Sequence, residues 1–265
     1  MPELPTTAVT AVRLTGSQHR AELPLLVLGP ALGSSATALW ADAAAGLTDA
    51  CDVVAWDLPG HGHNRAVPEQ PFTLAELAAG VLAVVDEILL HRDEVGASFS
   101  YAGVGVGGSV GLQLLLDAPA RVRDAVLIDA GARSGAVAPE SGPVAFDVRG
   151  RLGEISAPVL AVAGAQDDVT PLSAVREVAE GVRHGRLEVL DGVTGLAPVE
   201  APEAVARLVR AHVLGETVDA TGDRHSRALV TLEADLRAAL DGGLTVAEIE
   251  GLLHLLDESA PGADE

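Results

Sequence analysis

A chain of 265 residues can hold one α/β domain with a modest appendage, and with 48% hydrophobic but only 2% aromatic residues its core has to be built from Ala, Val and Leu. Its formal charge of -21 argues against nucleic acid or an anionic membrane as partner. The single cysteine, Cys51, excludes an internal disulfide framework and a cysteine metal cluster, and its place at the head of an apolar run predicts a small buried residue.

Met1 to Leu14 lacks a charged segment followed by an apolar core, and no apolar stretch reaches membrane-spanning length, so a cytoplasmic protein is expected. From Leu23 onward strands and helices alternate, the pattern of a largely parallel sheet. Pro24 to Leu28 reads as a buried strand followed by the loop Gly29 to Ser34, and Trp40 to Leu47 as a helix. Asp52 to Trp56 is the next strand, closed by Asp57-Leu-Pro-Gly-His-Gly-His63. Thr73 and Glu76 form a capping box that opens a helix to about Leu90.

Next comes Ser100 to Ser109, which runs from an apolar strand into an apolar helix over Val110 to Leu116. Gly103, Gly105 and Gly107 keep the G-x-S-x-G spacing of a nucleophile elbow, with glycine at the serine position. Short apolar runs at Ala125 to Ile128, Val159 to Ala163 and Leu187 to Leu190 predict three more strands, and Leu172 to Val182 and Pro202 to Val213 predict helices. Beyond these lie a polar, acidic linker over 216–225 and a helical tail over 226–265, with leucine stripes on two amphipathic segments separated by Asp241, Gly242 and Gly243. Such stripes have to be buried against the main domain, each other or a second copy of the chain.

Taken in order, the elbow, the Asp57 to Gly62 loop and Gly164-Ala-Gln-Asp-Asp-Val-Thr-Pro171 resemble the α/β-hydrolase superfamily, and within it the 3-oxoadipate enol-lactone hydrolases of aromatic catabolism. The resemblance spans about Leu23 to Leu214. It also rests on Leu32 and Gly33, on Ala118 to Arg123, on Ala130 to Arg133 and on Leu196 to Glu203. Leu236 to His254 resembles the last helices of 4-carboxymuconolactone decarboxylase, too little to assemble that active site. The resemblance implies an α/β-hydrolase fold over 1–215, with a mostly parallel sheet flanked by helices and a lid shortened to 131–157.

Within that family the chain order is Ser, Asp, His. The resemblance places Gly105 at the nucleophile, Asp167 at the acid and Gly195 at the base, so only the orienting carboxylate is kept. The backbone N–H groups of Leu32 and Val106 are the implied oxyanion hole, which needs no side chain. As stand-ins, Ser109 and Ser34 are the candidate nucleophiles and His61 and His63 the candidate bases; His184 belongs at the opposite end of the sheet and His254 in the tail.

Gly103, Gly105 and Gly108 also satisfy G-x-G-x-x-G, with Asp129 about twenty residues on, but the motif lies mid-chain behind earlier strands. No cofactor or metal is expected. The main reading is a catalytically defective hydrolase-fold protein kept to bind a small carboxylate or lactone ligand or a partner, with homo-oligomerisation through the tail helices. The alternative is an active lactone or ester hydrolase, or a lyase, that combines the oxyanion hole and Asp167 with a non-standard nucleophile or base.

Overall fold

The structure is a computed structural model, and it describes residues 9–15, 22–66, 72–134 and 145–215, all within the compact unit Met1–Glu216. The linker, the tail leucine stripes, His254 and the decarboxylase-like segment therefore lie outside the described residues. A seven-stranded sheet forms the centre, from β1 (Thr10–Arg13), β2 (Leu25–Gly29), β3 (Asp52–Asp57), β4 (Phe99–Val104), β5 (Val122–Ile128), β8 (Val159–Gly164) and β9 (Gly185–Leu190), in the order β1-β3-β2-β4-β5-β8-β9. Every pairing is parallel except β1 with β3. A two-stranded antiparallel ribbon, β6 (Arg133–Ser134) with β7 (Phe146–Asp147), and a short 3-10 turn (Arg149–Glu154) occupy the region expected to be a shortened lid.

The inner strands β2 to β5 and β8 are buried on both faces, and their side chains alternate between two cores as the pleat requires. Leu25 and Val27 join one core, while Leu26 and Leu28 join the other. The first is covered by α2 (Leu74–His91), α3 (Val106–Asp117) and the far end of α4 (Leu172–Gly181); the second by α1 (Ala36–Ala45), the short α5 (Ala197–Glu200) and α6 (Pro202–Leu214). Helix α2 starts where its capping box predicts: the Glu76 N–H donates to Thr73 Oγ1 at 3.1 Å, and the Thr73 N–H donates to the Glu76 carboxylate at 2.7 Å. Helix α1 begins four residues before the expected Trp40, because the Ser35 hydroxyl accepts the Ala38 N–H and caps it there. Cys51 is buried, and desolvation pushes its thiol up to about 11, the signature of an inert core residue. Among the described residues no helix is long and apolar enough to cross a membrane.

Strand β1 has no counterpart in the sequence reading. Thr-Ala-Val-Arg is too short and too mixed to register as a strand, and it is held at the sheet edge from outside its own sequence. Arg13 pairs with the fully buried Asp52, which also accepts from Thr15 Oγ1 at 2.9 Å and from Arg92 Nη1 at 3.2 Å. One carboxylate thus ties β1, the start of β3 and the end of α2 together. Removing it strands a buried guanidinium, so Asp52→Ala should cost about 3–5 kcal/mol in urea unfolding, against under 1 kcal/mol for removing an exposed pair such as Arg151 with Glu154.

Candidate active site

Strand β2 is flanked by β3 on one side and β4 on the other, so the chain's winding reverses there, and a crevice opens beyond the carboxyl ends of the strands. A cavity of about 520 Å³ fills this crevice. Its wall takes Leu32 from the loop after β2, Gly105 and Val106 after β4, Asp129 after β5, Asp167 after β8 and Gly195 after β9. The five positions that the resemblance singled out, Leu32, Gly105, Val106, Asp167 and Gly195, thus all reach one cavity from four strand ends.

The turn from β4 into α3 needs backbone packed on backbone. An added Cβ would come within 2.5 Å of the Gly107 carbonyl carbon at Gly103, of Pro30 O at Gly107, and of Ala130 Cβ at Gly108. Donation from the Gly107 N–H to Pro30 O at 2.9 Å and from the buried Tyr101 hydroxyl to Gly107 O at 2.7 Å fixes the turn. Gly105 is different. Its φ of 53° and ψ of -113° belong to the strained elbow turn, yet a Cβ there would have no neighbour within 4 Å. The elbow geometry is intact and its apex opens on empty space. The N–H groups of Leu32 and Val106 make no hydrogen bond among the described residues, which leaves both donors available to a ligand oxygen.

Gly195, which the resemblance assigns to the base, differs from Gly105 in both its backbone and its neighbours. Gly195 has φ 133°, and a Cβ built on it would lie 3.2 Å from Asp167 Cγ and 3.3 Å from each of its oxygens. Asp167 and Gly195 are therefore adjacent, and the space beside Gly195 is filled: the Asp167 carboxylate leans over a backbone that only glycine readily adopts. The loop is nonetheless held firmly. Glu200 accepts from Thr194 N at 2.7 Å, from Thr194 Oγ1 at 3.0 Å and from Leu196 N at 2.8 Å. Burial acts to raise the Glu200 pKa, but these three donors outweigh it and the net shift is downward.

Of the stand-in residues, only Ser109 borders the cavity. Ser109 is buried and its hydroxyl bonds back to Gly105 O at 3.3 Å, so it is tied to the helix although it borders the cavity. The Ser34 hydroxyl donates to Ser35 O at 3.3 Å, the loop bond expected of it. His61 Nδ1 lies 2.9 Å from Pro59 O and His63 Nδ1 3.1 Å from Asp57 Oδ2; neither reaches the cavity. His184 accepts the Val159 N–H at the start of β8, at the opposite end of the sheet. Asp57 is fully buried and holds the Ala36 and His63 N–H groups, so it ties the Asp57 to Gly62 loop to the start of α1.

Sequence reasoning missed the character of Asp129, weighed only as a ribose ligand. It is 3% exposed with φ 47°, its Oδ1 accepts the Gly164 N–H at 2.8 Å, and no described residue donates to Oδ2. Burial, opposed by the Gly164 bond and reinforced by the charges of Asp167 and Glu200, pushes its pKa up to about 6. It thus joins the ends of β5 and β8 through Oδ1 while standing in the cavity wall.

Two predictions follow from this geometry. Gly105→Ser should fold with a loss of about 1–3 kcal/mol from backbone strain alone, while Gly195→His should lose more, because backbone and Asp167 must both move; urea melts of the two single variants compare them. The folded chain holds the Asp129 proton to about pH 6, whereas the unfolded chain releases it near 3.8, so stability falls as pH rises between those values. Asp129→Asn keeps the Gly164 bond and should therefore be neutral at pH 4 but stabilising by on the order of 2 kcal/mol at pH 7.5. Equal effects at both pH values would show that Asp129 is not held protonated by the fold.

No protein-family model matches the chain. It is 24% identical over 247 residues to the 3-oxoadipate enol-lactonase 2 of Acinetobacter baylyi, covering 72% of this chain and 89% of that protein. RutD of Pseudomonas savastanoi pv. phaseolicola, described as a candidate carbamate hydrolase, is 34% identical over 113 residues, 43% of this chain and 40% of that one. Among solved structures, the enol-lactonase of Burkholderia xenovorans superposes with a TM-score of 0.69 at 20% identity, over 78% of this chain and 96% of that one. A hydrolase from Pseudomonas aeruginosa gives 0.67 at 24%, over 78% and 94%. With its parallel sheet, elbow turn and cavity at the strand ends, the chain is an α/β-hydrolase-fold protein, similar in sequence to enol-lactonases and RutD-type hydrolases.

Proposed function

We propose that this protein is a ligand-binding relative of the enol-lactone hydrolases that does not carry out serine hydrolysis. The observation that carries this reading is the pair of glycines at the cavity floor. A serine hydrolase needs a nucleophile at the elbow and an imidazole to take its proton; here the elbow apex bears hydrogen, and the base position has a backbone and a carboxylate neighbour that disfavour any side chain. Neither the serines nor the histidines considered as stand-ins fill these places: His61, His63 and Ser34 do not line the cavity, and Ser109 is buried with its hydroxyl on Gly105 O.

What remains suits binding. The Leu32 and Val106 N–H groups point to an acyl oxygen as the common element of the ligand, and a cavity of about 520 Å³ accommodates a small lactone, ester or amide. Triad-deleted hydrolases retain about 10³ to 10⁴ of acceleration over water through such a hole, so slow turnover of an activated ester is compatible with this reading, whereas an acyl-enzyme is not. Incubation with a fluorophosphonate probe should leave the intact mass unchanged, and activated esters should give no burst. Stoichiometric labelling would overturn the proposal and identify the serine responsible.

A further inference from the structure

The cavity's charges do not match a plain acyl ligand. Two carboxylates, Asp129 and Asp167, stand in its wall against one guanidinium, Arg133, which is exposed and lies close enough to Asp147 to act on that charge as well. Asp167 Oδ1 accepts from Val169 N at 2.7 Å and Thr170 N at 3.0 Å, but no donor among the described residues reaches Oδ2. Asp129 is almost wholly buried, and its Oδ2 likewise has no donor. A buried acceptor without a partner, such as Asp129 Oδ2, is expensive to keep; the part-exposed Asp167 Oδ2 adds a second open acceptor to the same cavity wall, in a chain whose overall charge of -21 already disfavours anions.

In a working triad an imidazole would supply the missing donor and positive charge. Gly195 supplies neither, and the aliphatic rim formed by Leu32, Val169 and Leu196 supplies none either. Resting on the binding role proposed above, we infer that the cavity recognises a small molecule carrying a protonated nitrogen beside its acyl group, the nitrogen against Asp167 and the acyl oxygen on the Leu32 and Val106 N–H groups. The ligand then brings the cationic donor that this chain no longer provides. Asp129 sets the field behind Asp167, and a simple carboxylate ligand is repelled from both.

Three probes of matched length separate the possibilities: butyramide, its cationic counterpart 3-aminopropanamide, and butyrate. Each is titrated into the full chain near pH 7.5, with affinity read by calorimetry and location by the backbone amide shifts of Gly105, Val106, Thr194 and Gly195. The cation should bind about tenfold more tightly than butyramide, as a charge-assisted hydrogen bond in a sheltered site allows, and butyrate most weakly. Asp167→Asn can still accept the Val169 and Thr170 N–H groups on its Oδ1, so it should fold normally. It should bring the cation to within about twofold of butyramide, and Asp129→Asn should reduce the preference by a smaller factor. Binding of butyramide with no preference for the cation, a preference for butyrate, or a cation preference that survives in Asp167→Asn would each overturn the inference and leave the binding role standing. Failure of all three probes to shift the Val106 and Gly195 amides would overturn both.

Discussion

The turn between Val104 and Val106 is the constraint on which the rest of the site depends. To end β4 and start α3 within one residue, the chain brings Gly103 against Gly107, Gly107 against Pro30 and Gly108 against Ala130 at distances that no Cβ tolerates. That packing anchors the loop after β2 to the start of α3, through the bond from Gly107 N to Pro30 O, and so brings Leu32 and Val106, whose N–H groups have no partner among the described residues, to one cavity. It is independent of the residue at the apex. A turn of this kind can therefore carry glycine at its apex and still keep the Leu32 and Val106 donors in place, because they are backbone held by glycines whose reason for being glycine is steric.

The two glycines at the catalytic positions are not equivalent. Gly105 sits in the conformation that a nucleophile would occupy under strain, and glycine relaxes that strain without moving the chain. At Gly195 the backbone has taken a φ of 133° and the Asp167 carboxylate stands over it, although Glu200 still clamps the residues on either side. A side chain at Gly105 would meet open space, whereas one at Gly195 would meet the Asp167 carboxylate. Restoring the two side chains together therefore meets an obstacle at residue 195 that it does not meet at 105.

Much of this was legible in the sequence because it is written in local patterns. The Thr73 and Glu76 capping box, the apolar runs of β2 to β5, β8 and β9, and the glycine spacing of the elbow each carry their own signal, and the order of landmarks brought Leu32, Gly105, Val106, Asp167 and Gly195 to one set of strand ends. What could not be read depends on partners distant in sequence. Strand β1 exists through Arg13 and Asp52, 39 residues apart. Asp129 gains its character from burial against the end of β8, 35 residues on, and its sequence surroundings gave only a misleading resemblance to a ribose ligand. The φ of Gly195 has no signature, because glycine is silent about which of its permitted conformations it adopts.

The account's central claim is that binding and hydrolysis have been separated in this cavity, the hole and its carboxylates being kept and the nucleophile and base lost. One proton NMR experiment tests both halves at once: a simple lactone in modest excess over the protein at neutral pH, followed over hours. The account predicts saturable broadening of the lactone resonances, reversed by a competing amide and abolished in the Leu32→Pro, Val106→Pro variant, which lacks both donors, while the lactone opens no faster than such a hole alone sustains, about 10³ to 10⁴ over buffer. Opening through many turnovers at a rate well above that limit would contradict it, and would mean that a nucleophile or base operates in this cavity beyond Gly105 and Gly195.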